Sequence, residues 1–349
     1  MHPLLKHLVE MTGHRDHSRL ELSVISALHQ VADVSHVRLL EIFNIKNEQY
    51  LRPRIWVEGD SLVTSQCDPA ADEHRELLSK YPGLEQCLRS RTDSTCLSQA
   101  GDVHLLWLPV WLQDKVACCV EIRQDTQFTE AKLGVIDGIF QVYQNYQSLL
   151  DYSERDALTG LLNRKTFDEQ FAKYASNEED ELQARAAVTG QNRRSEEAGP
   201  QSQWLAVVDI DHFKLVNDRF GHLYGDEVLI LIANILKSSF RSQDRVFRFG
   251  GEEFVVLLRS STLETAHRVF NRFRTNVEQY DFPQVGKVTV SLGFVSTQIG
   301  TAVEILGHAD QALYFAKQNG RNRICFYDEL VEQGLLAPKQ TNNDDVELF

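Results

Sequence analysis

No run of about 18 consecutive apolar residues, the length a membrane-crossing helix needs, occurs in this chain, which excludes a helical membrane span. The stretch Met1-His2-Pro3-Leu4-Leu5-Lys6-His7 lacks the apolar centre of a secretory signal. The expectation is a soluble cytoplasmic protein with no membrane contact. Positive charge is short as well: 36 Lys and Arg stand against 50 Asp and Glu, a net charge of −14. That balance argues against a general nucleic-acid or anionic-membrane surface, so any bound phosphate must be held locally by a metal and a few cations. The six cysteines (Cys67, Cys87, Cys96, Cys118, Cys119, Cys325) include no C-x-x-C pair. They read as reduced, mostly buried thiols, with zinc held by one of them and a histidine as the alternative.

What is present is concentrated in Arg248-Phe249-Gly250-Gly251-Glu252-Glu253-Phe254. Strand-like residues lie on both sides, Val246 to Phe249 before and Phe254 to Leu258 after, so the four residues between them read as the tip of a hairpin. Glycines strip side chains from the turn, which lets a bulky anion lie against the backbone while Glu252 or Glu253 holds a hard cation. A nucleotide triphosphate with magnesium suits that description; a solvated, acidic hairpin tip is the plainer reading. A second carboxylate stands upstream, where the apolar run Trp204-Leu205-Ala206-Val207-Val208 ends in Asp209-Ile210-Asp211 at the close of a probable buried strand.

Asp209 to Asp226 (Asp-Ile-Asp-His-Phe-Lys-Leu-Val-Asn-Asp-Arg-Phe-Gly-His-Leu-Tyr-Gly-Asp), followed by Arg248 to Phe254, resembles the GGDEF family of diguanylate cyclases in a GGEEF form. The resemblance runs from Asp156-Ala157-Leu158-Thr159-Gly160 to Ala316-Lys317-Gln318-Asn319-Gly320-Arg321-Asn322-Arg323. It implies that two GTP are condensed to cyclic-di-GMP with release of pyrophosphate, with two Mg2+ per site and Mn2+ as a substitute. By the resemblance Asp209, Glu252, Glu253 and the Ile210 carbonyl are metal ligands, and Glu252, Glu253 and Lys214 serve catalysis. Phe213, Asn217, Asp226, Gly250, Gly251, Lys317 and Arg321 would bind substrate. Asn217 and Asp226 suit the guanine edge, since a carboxylate accepts from N1–H and the 2-amino group; the plainer role for Asp226 is an acid at a helix N-terminus. Lys317 and Arg321 read otherwise as a solvated basic helix end beside Gly320. Arg241-Ser242-Gln243-Asp244, nine residues before Gly250, resembles the family's inhibitory product site, with Arg272 as a further arginine. Leu162 stands where relatives usually carry proline.

The expected fold class is α+β, and at 349 residues the chain has room for two domains. Residues 1–128 are read as a sensor domain. Apolar residues at helical spacing (Leu20, Val24, Leu28, Val31) precede a strand at Val37 to Phe43, and a charged helical segment spans 71–89. Two apolar runs, 103–110 and 115–122, suit adjacent antiparallel strands. This order is similar to a GAF-type domain, with a PAS-like domain as the alternative; such a domain either binds a small molecule or serves as a dimerisation platform. Residues 129–155 are read as a helical coiled-coil linker of a homodimer, starting at Thr129 as N-cap and carrying Leu133, Ile136, Phe140, Tyr143 and Leu150. A helix packed on its own sensor domain is the competing reading. Residues 156–328 form the cyclase-like domain, expected as a ferredoxin-like, palm-type core with a central antiparallel sheet. It is interrupted by a polar insertion at 176–203 that cannot bury enough apolar surface to order itself, and the acidic tail 329–349 is expected to be disordered. Two functions from other classes stay open: a catalytically silent GTP or cyclic-di-GMP binding module, and a dimerisation scaffold.

Overall fold

A computed structural model describes residues 3–32, 34, 36–45, 48–59, 61–65, 72, 74–90, 96–100, 103–112, 115–172, 201–241, 243–298 and 300–337. The chain divides into two compact units, Met1–Ser153 and Glu154–Phe349.

In the first unit, helices α1 (Pro3–Gly13) and α2 (His17–Val31) precede strands β1 (His36–Ile45), β2 (Glu48–Glu58), β3 (Ser61–Thr64) and β4 (Glu76–Leu77). Helix α3 (Pro82–Ser90), strands β5 (Cys96–Ala100), β6 (Val103–Leu112) and β7 (Lys115–Gln124), and helix α4 (Glu130–Glu154) follow. The sheet runs β3-β2-β1-β7-β6-β5, with β4 added to β2. All its pairings are antiparallel, including β6 with β7 as their apolar runs require. Alternation along the strands gives the sheet two apolar faces. Leu39, Leu106, Leu108, Val120 and Ile122 pack against α2 and α4; Leu40, Leu51, Trp107 and Cys119 pack against Leu78 and Leu84.

Three expectations change here. The helix expected over 71–89 is confined to α3, because Pro82 lacks an N–H and is tolerated only at a helix start; β4 and a 3-10 turn, Leu78–Lys80, take the residues before it. In α4, Ile136, Ile139, Phe140, Tyr143 and Leu150 are buried in the first unit's own core. Val135, Leu149 and Tyr152 are left exposed on that helix. Cys87 is disulfide-bonded, so the reading of six reduced thiols fails at that position, whereas Cys118, Cys119 and Cys325 are free and buried.

The second unit holds β8 (Leu162–Asn163), a helix α5 over 164–172, β9 (Gln201–Ile210), α6 (Phe213–Phe220), α7 (His222–Ser239) and β10 (Arg245–Gly250). It continues through β11 (Glu253–Thr262), α8 (Leu263–Gln279), β12 (Val290–Ser296), α9 (Ala302–Gln318), β13 (Ile324–Phe326) and α10 (Tyr327–Glu332). The sheet order is β13-β12-β9-β11-β10-β8. Its four middle strands are antiparallel neighbours in the order a β-α-β-β-α-β unit produces, and the edge strands β8 and β13 join in parallel. One face is covered by α7 and α8 through Leu229, Ile232, Phe270 and Phe273. The other is covered by α5 and α9 through Phe167, Ile305 and Leu313. Gly293 of β12 is what lets α9 come so close: a Cβ there would sit 2.1 Å from the Ala309 carbonyl oxygen and 2.2 Å from the Leu313 nitrogen.

Two boundaries differ from expectation. β9 starts at Gln201, inside the stretch read as an insertion, because Gln201 and Ser202 pair with Thr262 and Ser261; residues 176–200 lie outside the described residues. The tail is ordered to residue 337, since Leu330 is buried and Val331 and Leu336 pack on the same core; residues 338–349 lie outside the description.

Candidate active site

The site gathers at one end of the second sheet. β9 and β11 pair with Glu253 opposite Asp209, and β12 places Ser291 on the other side of Asp209. Gly250 (φ 143°) and Gly251 (φ 53°) take the positive backbone angles that turn β10 into β11. Arg248 holds this turn in a way the sequence reading missed. Its Nε and NH2 donate to the Gly251 carbonyl at 3.2 and 2.9 Å, and its NH1 donates to Asp156 Oδ1 at 2.9 Å. Asp156 also accepts from the Thr159 amide and hydroxyl. Burial works to raise its carboxyl, but the hydrogen bonds of Thr159 and Arg248 hold it below the ordinary range.

Carboxylates crowd the sheet end. Burial pushes Asp209 and Glu252 above the usual carboxylate range; Glu253 is raised in the same direction by partial desolvation although its side chain reaches solvent, and the Asp209 charge adds to the effect on both glutamates. Lys317 Nζ lies 2.7 Å from Asp209 Oδ2 and offsets part of this. Asp310 on α9, absent from the motif reading, is likewise raised by burial and faces Asp209 and Glu253 electrostatically. Hard oxygen donors whose charged form is disfavoured without a cation fit a divalent metal. Among the described residues no three His, Cys, Asp or Glu side chains converge to hold a metal by themselves. The Ile210 carbonyl, water and substrate phosphates would therefore complete the shell, which suits magnesium.

Asn217 and Asp226 lie on α6 and α7, which meet at close range because position 225 is glycine. A Cβ on Gly225 would stand 1.9 Å from Asn217 Oδ1 and 3.3 Å from Phe213 Cζ. α7 begins at His222, so Asp226 lies a full turn inside the helix and the plainer role at its N-terminus weakens. The Phe213 ring is buried in the core, where it anchors α6 under α7. Lys214, on the exposed side of α6, presents its chain to solvent. Lys317 is in the last turn of α9, and Arg321 follows in the exposed, left-handed loop after it (φ 60°).

The Arg241–Asp244 pair is brought together only in part. The Asp244 carboxylate is buried and accepts from the Arg241 and Arg259 backbone amides at 2.8 and 3.1 Å, so it ties the turn to β11. The Arg241 side chain is exposed, and Arg272 of α8 donates to the Ser239 carbonyl at 2.6 Å, at the same end of α7.

A separate cavity of about 440 Å³ lies in the first unit, lined by His36, Arg38, Trp56, Asp72, Glu121 and Arg123 among others. Glu121 is buried there, accepting from Arg38 Nε at 2.7 Å and Trp107 Nε1 at 3.0 Å.

Comparison with known proteins bears on this geometry. Residues 153–323 match the family described as "Diguanylate cyclase, GGDEF domain". Diguanylate cyclase DgcP of Pseudomonas aeruginosa is 33% identical over 270 residues, covering 75% of this chain and 38% of that protein. Diguanylate cyclase DgcM of Escherichia coli is 35% identical over 193 residues, covering 55% of this chain and 43% of its own length. The chain thus spans less than half of these two relatives. The solved GGDEF domain of DgcB from Caulobacter crescentus in complex with c-di-GMP is 30% identical, covering 50% of this chain and 96% of that one, with a TM-score of 0.42.

Proposed function

From the match of residues 153–323 to the GGDEF domain family, we propose that the chain is a diguanylate cyclase that joins two GTP into cyclic-di-GMP. The observation that carries the reading is the facing pair Asp209 and Glu253 on adjacent strands, with their charged forms disfavoured and Lys317 beside them. Each new bond requires the 3′-hydroxyl of one GTP to attack the α-phosphorus of the other, with pyrophosphate leaving in line. When bound, two magnesium ions supply the charge neutralisation that lowers this barrier. Asp209, Glu253 and the Ile210 carbonyl would hold them. Glu252 is half-buried, and its raised carboxyl suits uptake of the 3′-hydroxyl proton. Lys317, Arg321 and Lys214 hold the phosphates, and the bare backbone of Gly250 and Gly251 lets them approach. Asn217 and Asp226 read the guanine edge, a donor pair that adenine does not present.

One site carries one GTP, so the reaction requires two subunits, and the working form is a homodimer. The first unit is the regulatory part, with its cavity as the place for a small-molecule ligand and the exposed residues of α4 as a dimer contact. Product feedback acts from Arg241 and Arg272.

The test is incubation of purified protein with GTP and Mg2+ or Mn2+, with the product identified by mass. Cyclic-di-GMP is expected. Binding of GTP without turnover would replace the reading with a silent binding module, and absence of any nucleotide binding would leave a scaffold.

A further inference from the structure

The loop after α9 is built in an unusual way. Gly320, Arg321 and Asn322 have φ of 107°, 60° and 47°, three successive positive values of which two belong to residues with a Cβ. That conformation is sterically costly for such residues and persists only where surrounding contacts over-determine it. Part of the support is local, since the Arg321 amide returns to the Ala316 carbonyl at 3.0 Å in a Schellman-type closure of the helix.

The rest comes from a distant residue. Asp211 is 5% exposed, and its carboxylate accepts from Thr289 Oγ1 at 2.7 Å, Ser291 Oγ at 2.7 Å and the Asn322 backbone amide at 3.0 Å. Three donors thus converge on one carboxylate. Asn322 then reaches outward: its Nδ2 donates to Glu278 Oε1 at 2.7 Å and its Oδ1 accepts from Arg274 NH1 at 2.8 Å. The loop is thus clamped from beneath by the end of β9 and β12, and from the side by α8.

We propose that Asp211 is a positioning residue of the nucleotide site, acting through the Asn322 amide to hold the left-handed loop that presents Arg321 to substrate phosphate. The inference rests on the cyclase reading and deepens it. Asp211 follows Asp209 and Ile210 directly, so the chain segment that carries the metal ligands also fixes the phosphate cation. Arginine binds phosphate through a planar fork, so its contribution depends on where its backbone is held.

The test is a double-variant cycle on binding of a non-cleavable GTP analogue with Mg2+, measured by calorimetry on the full chain. Arg321→Ala is expected to weaken binding about tenfold or more, the loss of a charge-assisted contact. Asp211→Ala should match it within about twofold, and the double variant should fall no further, because residues acting as one unit are not additive. Asp211→Asn should retain most of the affinity, since the Ser291 hydroxyl can turn to accept from the new amide while the remaining oxygen still receives Asn322. If Asp211→Ala does not fold, Asn322→Ala carries the same cycle from the loop side, because alanine tolerates that backbone angle poorly. Parent-like binding by Asp211→Ala, multiplying losses in the double variant, or an Asp211→Asn variant as weak as Asp211→Ala would each overturn the positioning role while the cyclase reading stands. A parent that binds no analogue would overturn both.

Discussion

The carboxylates at the sheet end are placed against their own electrostatic preference. Asp209, Glu252 and Glu253 all have raised folded-state pKa values, burial being the leading cause. A raised pKa means that the folded protein binds more protons than the unfolded chain above the ordinary carboxylate range, so these groups subtract stability as pH rises through that window. Glu252→Gln, at the half-buried member of the group, should accordingly melt higher than the parent at pH 7.5 without divalent metal, and the gain should shrink towards pH 5, where the parent's Glu252 is increasingly protonated. A melting temperature equal to or below the parent's at pH 7.5 would contradict this account. Glu253→Gln and Asp209→Asn should lose cyclic-di-GMP synthesis by about 100-fold or more, the scale on which removing one electrostatic stabiliser acts. Base choice belongs to the same scale. Asp226→Ser shortens the acceptor for the guanine edge, at a cost of roughly 1 to 3 kcal/mol for an unpaired partner. Relative rates on GTP and ATP measured side by side should converge, and an unchanged ratio would remove Asp226 from base recognition.

Between elements, the closest approaches are made by glycine. Gly293 admits the α9 backbone to β12, and both atoms that an added Cβ would meet first are main-chain atoms. Neither can swing aside as a side chain would. Gly293→Ala should therefore push α9 away from the sheet and destabilise the second unit by about 1 to 3 kcal/mol. Because α9 carries Lys317, the GTP affinity of the variant should drop along with its melting temperature; calorimetry and thermal unfolding read the two effects, and an unshifted melting curve would show that the helix has room. Gly225 works differently, since the first atom in its way belongs to the Asn217 side chain. A residue larger than glycine there would displace a group read as a base contact before it disturbed the fold. Arg248 joins the hairpin tip to the turn at Asp156, so the β10–β11 turn is held by the segment that opens the second unit.

For the whole molecule, the question is how output is limited. Arg241 is exposed, whereas its partner in the motif is spent on the backbone: Asp244 caps the turn through the Arg241 and Arg259 amides. Replacing the Arg241 side chain leaves both of those bonds in place. Arg241→Ala should keep the initial rate near the parent's while its progress curves stay linear as product accumulates, the coupling between separate sites being typically about 1 to 3 kcal/mol. Equal slowing of parent and variant by added cyclic-di-GMP would return Arg241 to an ordinary surface residue.

How much was legible in advance follows the range over which each signal acts. The β9, β10 and β11 strands, the hairpin tip and α7 to α9 could be read from local periodicity, and Asp209, Glu252 and Glu253 stood out as carboxylates at strand ends, whereas Lys317 and Arg321 entered only through the resemblance to the GGDEF family. α6 was not read as a helix, and β2 was hidden by Pro53 and by charged residues at alternate positions, whose acceptance depends on neighbouring strands. The apolar stripe of α4 was visible, but an amphipathic helix does not say which surface it will cover; in the fold Phe140 and Tyr143 cover the first unit's own sheet. Asp244 carried the right residue type, yet its carboxylate was assigned by geometry to two backbone amides. Lys317 beside Asp209, and Asp211 beneath an amide 111 positions away, exist only because β9, β12 and the end of α9 meet. The sequence by itself determined which chemical groups the site has to work with, because that depends on residue type and local spacing. Tertiary structure alone decided which of those groups are paired, buried or left free, because hydrogen bonding and desolvation depend on neighbours that folding brings from far along the chain.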